Sequence, residues 1–320
     1  MFRNTRDSIV DKVSRRHIAG PSIRDALPAV NWTLKQGYGV ILSPWAPSSY
    51  SVSEMMRECE VCLDVLDKGR QVMTLRKNLQ RVTPVLSIKL NALGFDHGAI
   101  INLFQYALEK KIRLHVDSLS AELAPQTFQM LERLASSRLN AFDKASVKNG
   151  HRSNGKNSLW FRPLGVTIPS RWTRSRDDIQ RAIEIGLSIR IVKGQWEDPI
   201  RPVDPLENAL TIISSIPHLP DQTLCRNSII SMASHDLHFL KETLSRLQSH
   251  YLPFDIEQFF SLPLNGTSLA KGFEVPLSSY IAYGSPALPY NIRFSTTRPR
   301  LALWMASDYL LPKKRVWEIA

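Results

Sequence analysis

Ser188-Ile-Arg-Ile-Val-Lys-Gly-Gln-Trp196 opens as a β-branched strand and breaks at a glycine that precedes an aromatic residue. Arg190 and Lys193 are three positions apart. On an extended strand they face opposite ways, unless the chain turns at Lys193, and Gly194 makes that turn easy. A strand that ends by delivering fixed cations to a loop is the signature of the active rim of a parallel barrel. Cations held there suit an anionic partner such as a phosphate, a carboxylate or a reduced cofactor ring.

Outward from this stretch, short β-branched runs alternate with helical ones. Strands are expected at Gly37–Ser43, Pro84–Leu90, Ile112–Asp117, Gly165–Pro169, the Arg190 segment, Arg226–Ala233, Lys271–Pro276 and Tyr290–Ser295. Helices are expected at Glu54–Leu79, Ala99–Lys111, onward to Leu134, Ser175–Gly186 (with Ser175 as N-cap and two aspartates in its first turn), Pro205–Ile216, Asp236–Gln248 and Arg300–Leu310. Strand–helix alternation of this kind implies a parallel sheet with right-handed crossovers, and about eight units in one domain point to a closed (β/α)8 barrel. An open doubly wound sheet is disfavoured because no Gly-x-Gly-x-x-Gly follows the first strand. Residues 1–36 read as an N-terminal helical extension and 37–320 as the barrel. The polar stretch Lys148–Asn157 reads as a long loop within it.

In this register, charged residues fall at the ends of five strands: Lys89, Asp117, Arg190 with Lys193, His235 with Asp236, and Glu274. A barrel gathers such ends at one rim, where charges cost desolvation unless they pair or bind something.

The 320 residues are 43% hydrophobic, enough for one large core. Three cysteines argue against a disulfide scaffold and for a reducing compartment, and Cys59-x-x-Cys62 lies in a helical pattern as core. No apolar run approaches the roughly 20 residues of a membrane span, and the charged N-terminus has no signal-peptide core. The expected location is therefore the cytoplasm, with at most peripheral contact at the inner face of the membrane. The formal charge of +12 is scattered rather than gathered into an aromatic-interleaved basic motif, so nucleic acid is not an expected partner.

Leu86-Ser-Ile-Lys-Leu-Asn-Ala-Leu93, Val116-Asp-Ser118, Arg190-Ile-Val-Lys-Gly-Gln-Trp-Glu197, Ala233-Ser-His-Asp236 and Phe273-Glu-Val-Pro-Leu277 together resemble, in order, the strand motifs of the proline dehydrogenase family. The resemblance implies a distorted (β/α)8 barrel with noncovalent FAD across its strand ends, oxidation of a small amine or imino acid, and a quinone or other electron acceptor. It places Arg190 beside the isoalloxazine and Lys193 on the FAD pyrophosphate. It also assigns to cofactor binding Gly194 and Trp196 in the loop after the fifth strand, Ser234 and His235 along the ribityl or adenosine side, and Glu274 in the last matching motif. Lys89 and Asp117 fall beside the substrate, with Lys89 near a bound carboxylate. Independently of the family, a guanidinium beside a flavin stabilises the charge that reduction leaves on the ring. Asp117 is suited either to accept a proton or to hold Lys89.

The family's last helix carries a tyrosine and two adjacent arginines that clamp the proline carboxylate. Here Arg300-Leu-Ala-Leu-Trp-Met-Ala-Ser-Asp-Tyr309 has no arginine pair. An aspartate near that place repels a carboxylate. The reading is a retained cofactor half and an altered substrate half: a proline-like cyclic amine other than free proline, with Asp308 facing a cationic group and Trp304 stacking on a ring. Two alternatives stay open. One is a metal-dependent barrel hydrolase using His115, Asp117, Lys193 and His235, although metal is not expected because no His-x-His appears. The other is a non-catalytic barrel that has lost its chemistry.

Overall fold

The computed structural model describes residues 18–45, 47, 49–74, 83–148, 163–216, 230–262 and 264–285. Eight parallel strands close in sequential order, and the first pairs with the last. They are β1 (Gly39–Trp45), β2 (Val85–Ile88), β3 (Arg113–Val116), β4 (Leu164–Pro169), β5 (Ser188–Val192), β6 (Ile230–Ala233), β7 (Phe254–Phe259) and β8 (Leu277–Gly284). The helices are α1 (Ile23–Lys35), α2 (Val52–Thr74), α3 (His97–Glu109), α4 (Ala124–Lys148), α5 (Ser175–Glu184), α6 (Pro205–Ser214), α7 (Leu237–Ser249) and the short α8 (Thr267–Gly272).

Strands β3 to β6 largely alternate an apolar residue with a polar or small one, and the period of two sorts these onto the two faces of the barrel wall. Leu86, Ile88, Leu114, Val116, Val166, Ile168, Ile189, Ile191, Met232 and Ile256 belong to the buried apolar core shared with the helices. Their alternating neighbours Ser87, His115, Thr167, Arg190, Ser231 and Glu257 are buried as well. The lumen is therefore unusually polar, and hydrogen bonds join Ser87, His115, Thr167 and Glu257 into one network around Arg190. Gly165 pairs with His115 across β3 and β4. A Cβ at residue 165 would come within 2.4 Å of the His115 ring, so glycine makes room for that imidazole inside the barrel.

Helix starts are set by carboxylates. Asp96, Asp204 and Asp236 accept from the first free backbone N–H groups of α3, α6 and α7, as orphan donors at a helix start require. In α5 the expected cap is displaced by one position. Arg174 is the N-cap, Ser175 is the first helical residue, and its hydroxyl donates back to the Pro169 carbonyl. Asp178 in that first turn takes both nitrogens of an Arg174 fork, at 2.8 Å each.

Two of the expected strands are corrected. Lys271 lies in α8, and Glu274 follows it in a turn with φ 56°, three residues before β8 begins. The seventh strand is Phe254–Phe259 and the eighth is Leu277–Gly284. Glu274 therefore sits at the end of the barrel opposite the strand C-termini and is not a rim residue. The segments expected as Tyr290–Ser295 and Arg300–Leu310 lie outside the described residues. Of the proposed N-terminal extension, residues 18–35 join the barrel itself. Helix α1 packs on β8 and β1. The Ala19 N–H donates to the Ala282 carbonyl, and the Gly284 N–H donates to the Gly20 carbonyl. The last register pair between β7 and β8 is Phe259 with Tyr280, so residues 19 and 20 bond to β8 beyond the reach of β7.

Candidate active site

Arg190 is the third residue of β5 and points into the lumen, where it is 3% exposed. Its Nη1 donates to Asp117 at 2.8 Å, Thr167 at 3.2 Å and Ser87 at 3.3 Å. Its Nε donates to Glu257 of β7. Its Nη2 is buried with no hydrogen-bond partner. Burial by itself disfavours the cation, but Glu257 and then Asp117 outweigh it, and the guanidinium is held above its ordinary value. It is permanently charged.

Asp117 directly follows β3 and is fully used. One oxygen accepts from Ser87 at 2.7 Å and from Arg190. The other accepts from the Tyr280 phenol at 2.6 Å and from Lys89 at 3.5 Å. Burial pushes this carboxyl up, but the Lys89 and Arg190 charges and the Tyr280 and Ser87 hydrogen bonds carry it below the usual carboxylate range. Four donors on one ionised carboxylate leave it poorly suited to accept a proton. Of the two roles open to Asp117, the geometry supports the holder. Burial, with the Asp117 charge beside it, pushes the Tyr280 phenol up, so Tyr280 keeps its proton and donates it to Asp117. With that single proton committed, the 2.9 Å contact between Tyr280 and Ser43 is a hydrogen bond from the serine hydroxyl to the phenol oxygen.

Lys89 follows β2, and its side chain is 36% exposed. Its ammonium lies 4.7 Å from the Trp45 ring centroid. Trp45, Phe259 and Tyr280 line up beside it: Phe259 stacks on Tyr280 at 5.2 Å and tilts against Trp45 at 6.0 Å. The Arg190 guanidinium lies 5.3 Å from the Tyr280 ring. An aromatic wall thus runs from the Lys89 mouth to the buried arginine.

Lys193 belongs to a second cluster. It pairs with Asp236, the carboxylate that also caps α7, and its ammonium lies 5.2 Å from the Phe239 ring. Gly194 has φ 91°, and a Cβ there would press on Pro169 at 2.8 Å, so the turn that swings Lys193 to the rim requires glycine. Trp196 is 45% exposed, and its carbonyl accepts from the Trp172 indole at 3.1 Å. The Ser234 hydroxyl accepts from the Asp236 N–H, and its carbonyl accepts from Gln258. The His235 ring accepts from the Phe259 N–H at 2.8 Å, which ties the rim of β6 to β7.

The structure therefore unites Lys89, Asp117 and Arg190 and sets Lys193, Gly194, Ser234 and His235 along the adjoining rim. Trp304 and Asp308 lie outside the described residues. The hydrolase alternative loses its ligands: the His115 ring is buried against Thr167 at 2.9 Å, and the His235 ring is spent on Phe259. Among the described residues no group of three or more His, Cys, Asp or Glu is placed to hold a metal. Among those residues, too, no helix is long and apolar enough to cross a membrane.

Sequence reading missed Glu257, Tyr280, Trp45 and Phe259. Glu257 carried a partial signal, because Phe254-Asp-Ile-Glu257 alternates as a barrel strand does before Gln258 breaks the pattern.

No protein-family profile matches the chain. Proline dehydrogenase 1 of Bacillus subtilis subsp. natto is 19% identical over 305 residues, covering 93% of this chain and 90% of that relative. Proline dehydrogenase 1 of Bacillus subtilis strain 168 is similar to the same extent. Among solved structures, proline utilization A (PutA) from Bdellovibrio bacteriovorus, inactivated by N-propargylglycine, superposes with a TM-score of 0.63 at 14% identity over 93% of this chain. The D779W mutant of Bradyrhizobium japonicum PutA superposes with a TM-score of 0.59 over 85%. The match spans 33% of the Bdellovibrio chain, so the fold is shared with about a third of that larger protein. This chain is thus weakly similar along nearly its whole length to two proline dehydrogenases, and it shares the barrel fold of part of PutA.

Proposed function

We propose that this protein is an FAD-dependent oxidoreductase that oxidises a proline-like cyclic amine or imino acid at a carbon–nitrogen bond. One observation carries the reading: Arg190 is locked in the lumen by two carboxylates, yet it keeps one buried nitrogen without a partner. An unmet buried donor costs about 1–3 kcal/mol, and an acceptor supplied by a ligand removes that cost. A flavin ring, with its nitrogen and carbonyl acceptors, fits this donor. In the proposal Arg190 holds the ring, Lys193 and Gly194 hold the phosphates, and Trp196, Ser234 and His235 line the rest of the cofactor. When bound, the flavin supplies the two-electron acceptor.

The remaining work falls to the chain. Asp117 orients Arg190, Lys89 and Tyr280 at once. Trp45, Phe259 and Tyr280 present an apolar surface against which a small ring packs and from which water is displaced. Lys89 stands at the open side as a donor to the substrate. The lumen groups nearest the mouth balance, Arg190 and Lys89 against Asp117 and Glu257, so the described residues offer a substrate carboxylate no surplus cation. That favours a proline analogue whose carboxyl group is absent, esterified or amidated.

Visible absorbance of protein purified without added cofactor tests the cofactor, and anaerobic bleaching by cyclic amines tests the substrate. The expected outcome is yellow protein that bleaches faster with L-prolinamide or pyrrolidine than with free L-proline. Protein that stays colourless even after incubation with FAD overturns the reading. Efficient bleaching by free proline overturns the choice of substrate alone.

A further inference from the structure

The mouth of this barrel spends two carboxylates on one guanidinium. Asp117 pairs with Arg190 through one oxygen and with Lys89 through the other. Glu257 reaches Arg190 from the opposite side of the lumen, through Nε, and its own side chain is buried. Nη1 is filled by Asp117, Ser87 and Thr167, so anchoring Nε as well fixes the plane of the group and leaves Nη2 as the single unpartnered nitrogen. A guanidinium offers its N–H groups in one rigid plane, and fixing two of its nitrogens dictates where the third is presented.

We propose that Glu257 is a positioning residue for the flavin: it presents Nη2 of Arg190 to the bound ring and offsets the positive charge that the ring senses. The assignment rests on the flavin reading above. In a dry lumen an anion this close to the arginine makes the flavin a weaker electron acceptor than Arg190 alone would make it. The enzyme thereby holds substrate oxidation and the onward release of electrons in closer balance. A merely structural Glu257 predicts otherwise, because a glutamine carbonyl can accept from Nε just as the carboxylate does.

The test is the two-electron midpoint potential of the flavin-loaded wild type, Glu257→Gln and Glu257→Asp, measured by dye-linked titration. Removing the charge in Glu257→Gln raises the potential by the equivalent of about tenfold in the reduced-to-oxidised ratio, about 30 mV for this couple. Glu257→Asp keeps the charge but withdraws it from Nε, and shifts the potential in the same direction by less. A wild-type potential in either flavin-loaded variant overturns the assignment, and if the glutamine variant does not fold the aspartate variant decides. A wild-type chain that takes up no flavin strikes the proposed function and this assignment with it, and is recognised by its lack of colour.

Discussion

His115 shows how a single residue records the cost of a polar lumen. Burial first, then the Arg190 and Arg113 charges, hold its imidazole well below the ordinary histidine range, so the folded protein keeps it neutral. The unfolded chain binds a proton at this residue as pH falls through about 6.5, whereas the folded chain does not. Stability from this group is therefore complete above that pH and is lost progressively below it, at up to about 1.4 kcal/mol per pH unit. Replacing it by glutamine keeps a hydrogen-bonding group for Thr167 and removes the titration. Urea unfolding of wild type and His115→Gln at pH 7 and pH 5 should show the variant losing less stability across that interval. Equal losses would mean that the buried ring is not the acid-sensitive group. Asp117 has the same sign in a lower window. Its carboxyl is depressed, so its contribution is present above the unfolded value near pH 4 and disappears as pH falls through the folded value.

At the scale of elements, legibility depended on how much of a strand's inner face is polar. The Arg190 strand was plain because Ile189 and Ile191 frame one cation and Gly194 ends the run. The second to fifth strands were likewise placed within two residues of their observed limits. β7 is hard to read because Asp255, Glu257 and Gln258 make it look like a loop, although Glu257 is buried on Arg190 in the lumen and Gln258 bonds the Ser234 carbonyl and Asn265 outside it. The strand expected at Lys271–Pro276 falls instead on the end of α8 and the turn before β8, which puts Glu274 at the opposite end of the barrel. The Lys89–Asp117–Arg190 set was legible from strand ends alone, whereas Tyr280 and Phe259 required knowing which strands close the barrel. Asp236 shows an element end joined to the site, since it caps α7 with one oxygen and holds Lys193 with the other. Asp236→Asn keeps a capping oxygen and should change stability by no more than about 0.5 kcal/mol, while Asp236→Ala loses the cap and costs about 1–2 kcal/mol. Thermal unfolding of the two variants separates these effects. Equal destabilisation would show that the Lys193 charge pair, not the cap, carries the stability.

For the whole molecule, the seam between β8 and β1 decides whether the barrel is closed and dry. Helix α1 covers it, burying Ala26, Ala29, Val30 and Leu34, spaced three and four apart along one stripe. The segment just before α1 supplies the backbone bonds to β8 beyond Tyr280. The same strand carries Tyr280, which anchors Asp117, and Tyr283, whose outward phenol donates to Glu58 on α2 at 2.6 Å. Loosening the seam should therefore be felt at the site. Val30→Asp forces an unpaired charge into the seam, at a cost of several kcal/mol. Leu27→Asp, on the half-exposed side of the same helix, should stay within about 0.5 kcal/mol of the wild type. Urea midpoints measured beside retained flavin absorbance test this pairing of stability with site integrity. If Val30→Asp unfolds at the wild-type midpoint, α1 is not docked on the seam. If its midpoint falls while the remaining folded protein binds flavin with unchanged affinity, the seam stabilises the barrel without shaping its mouth.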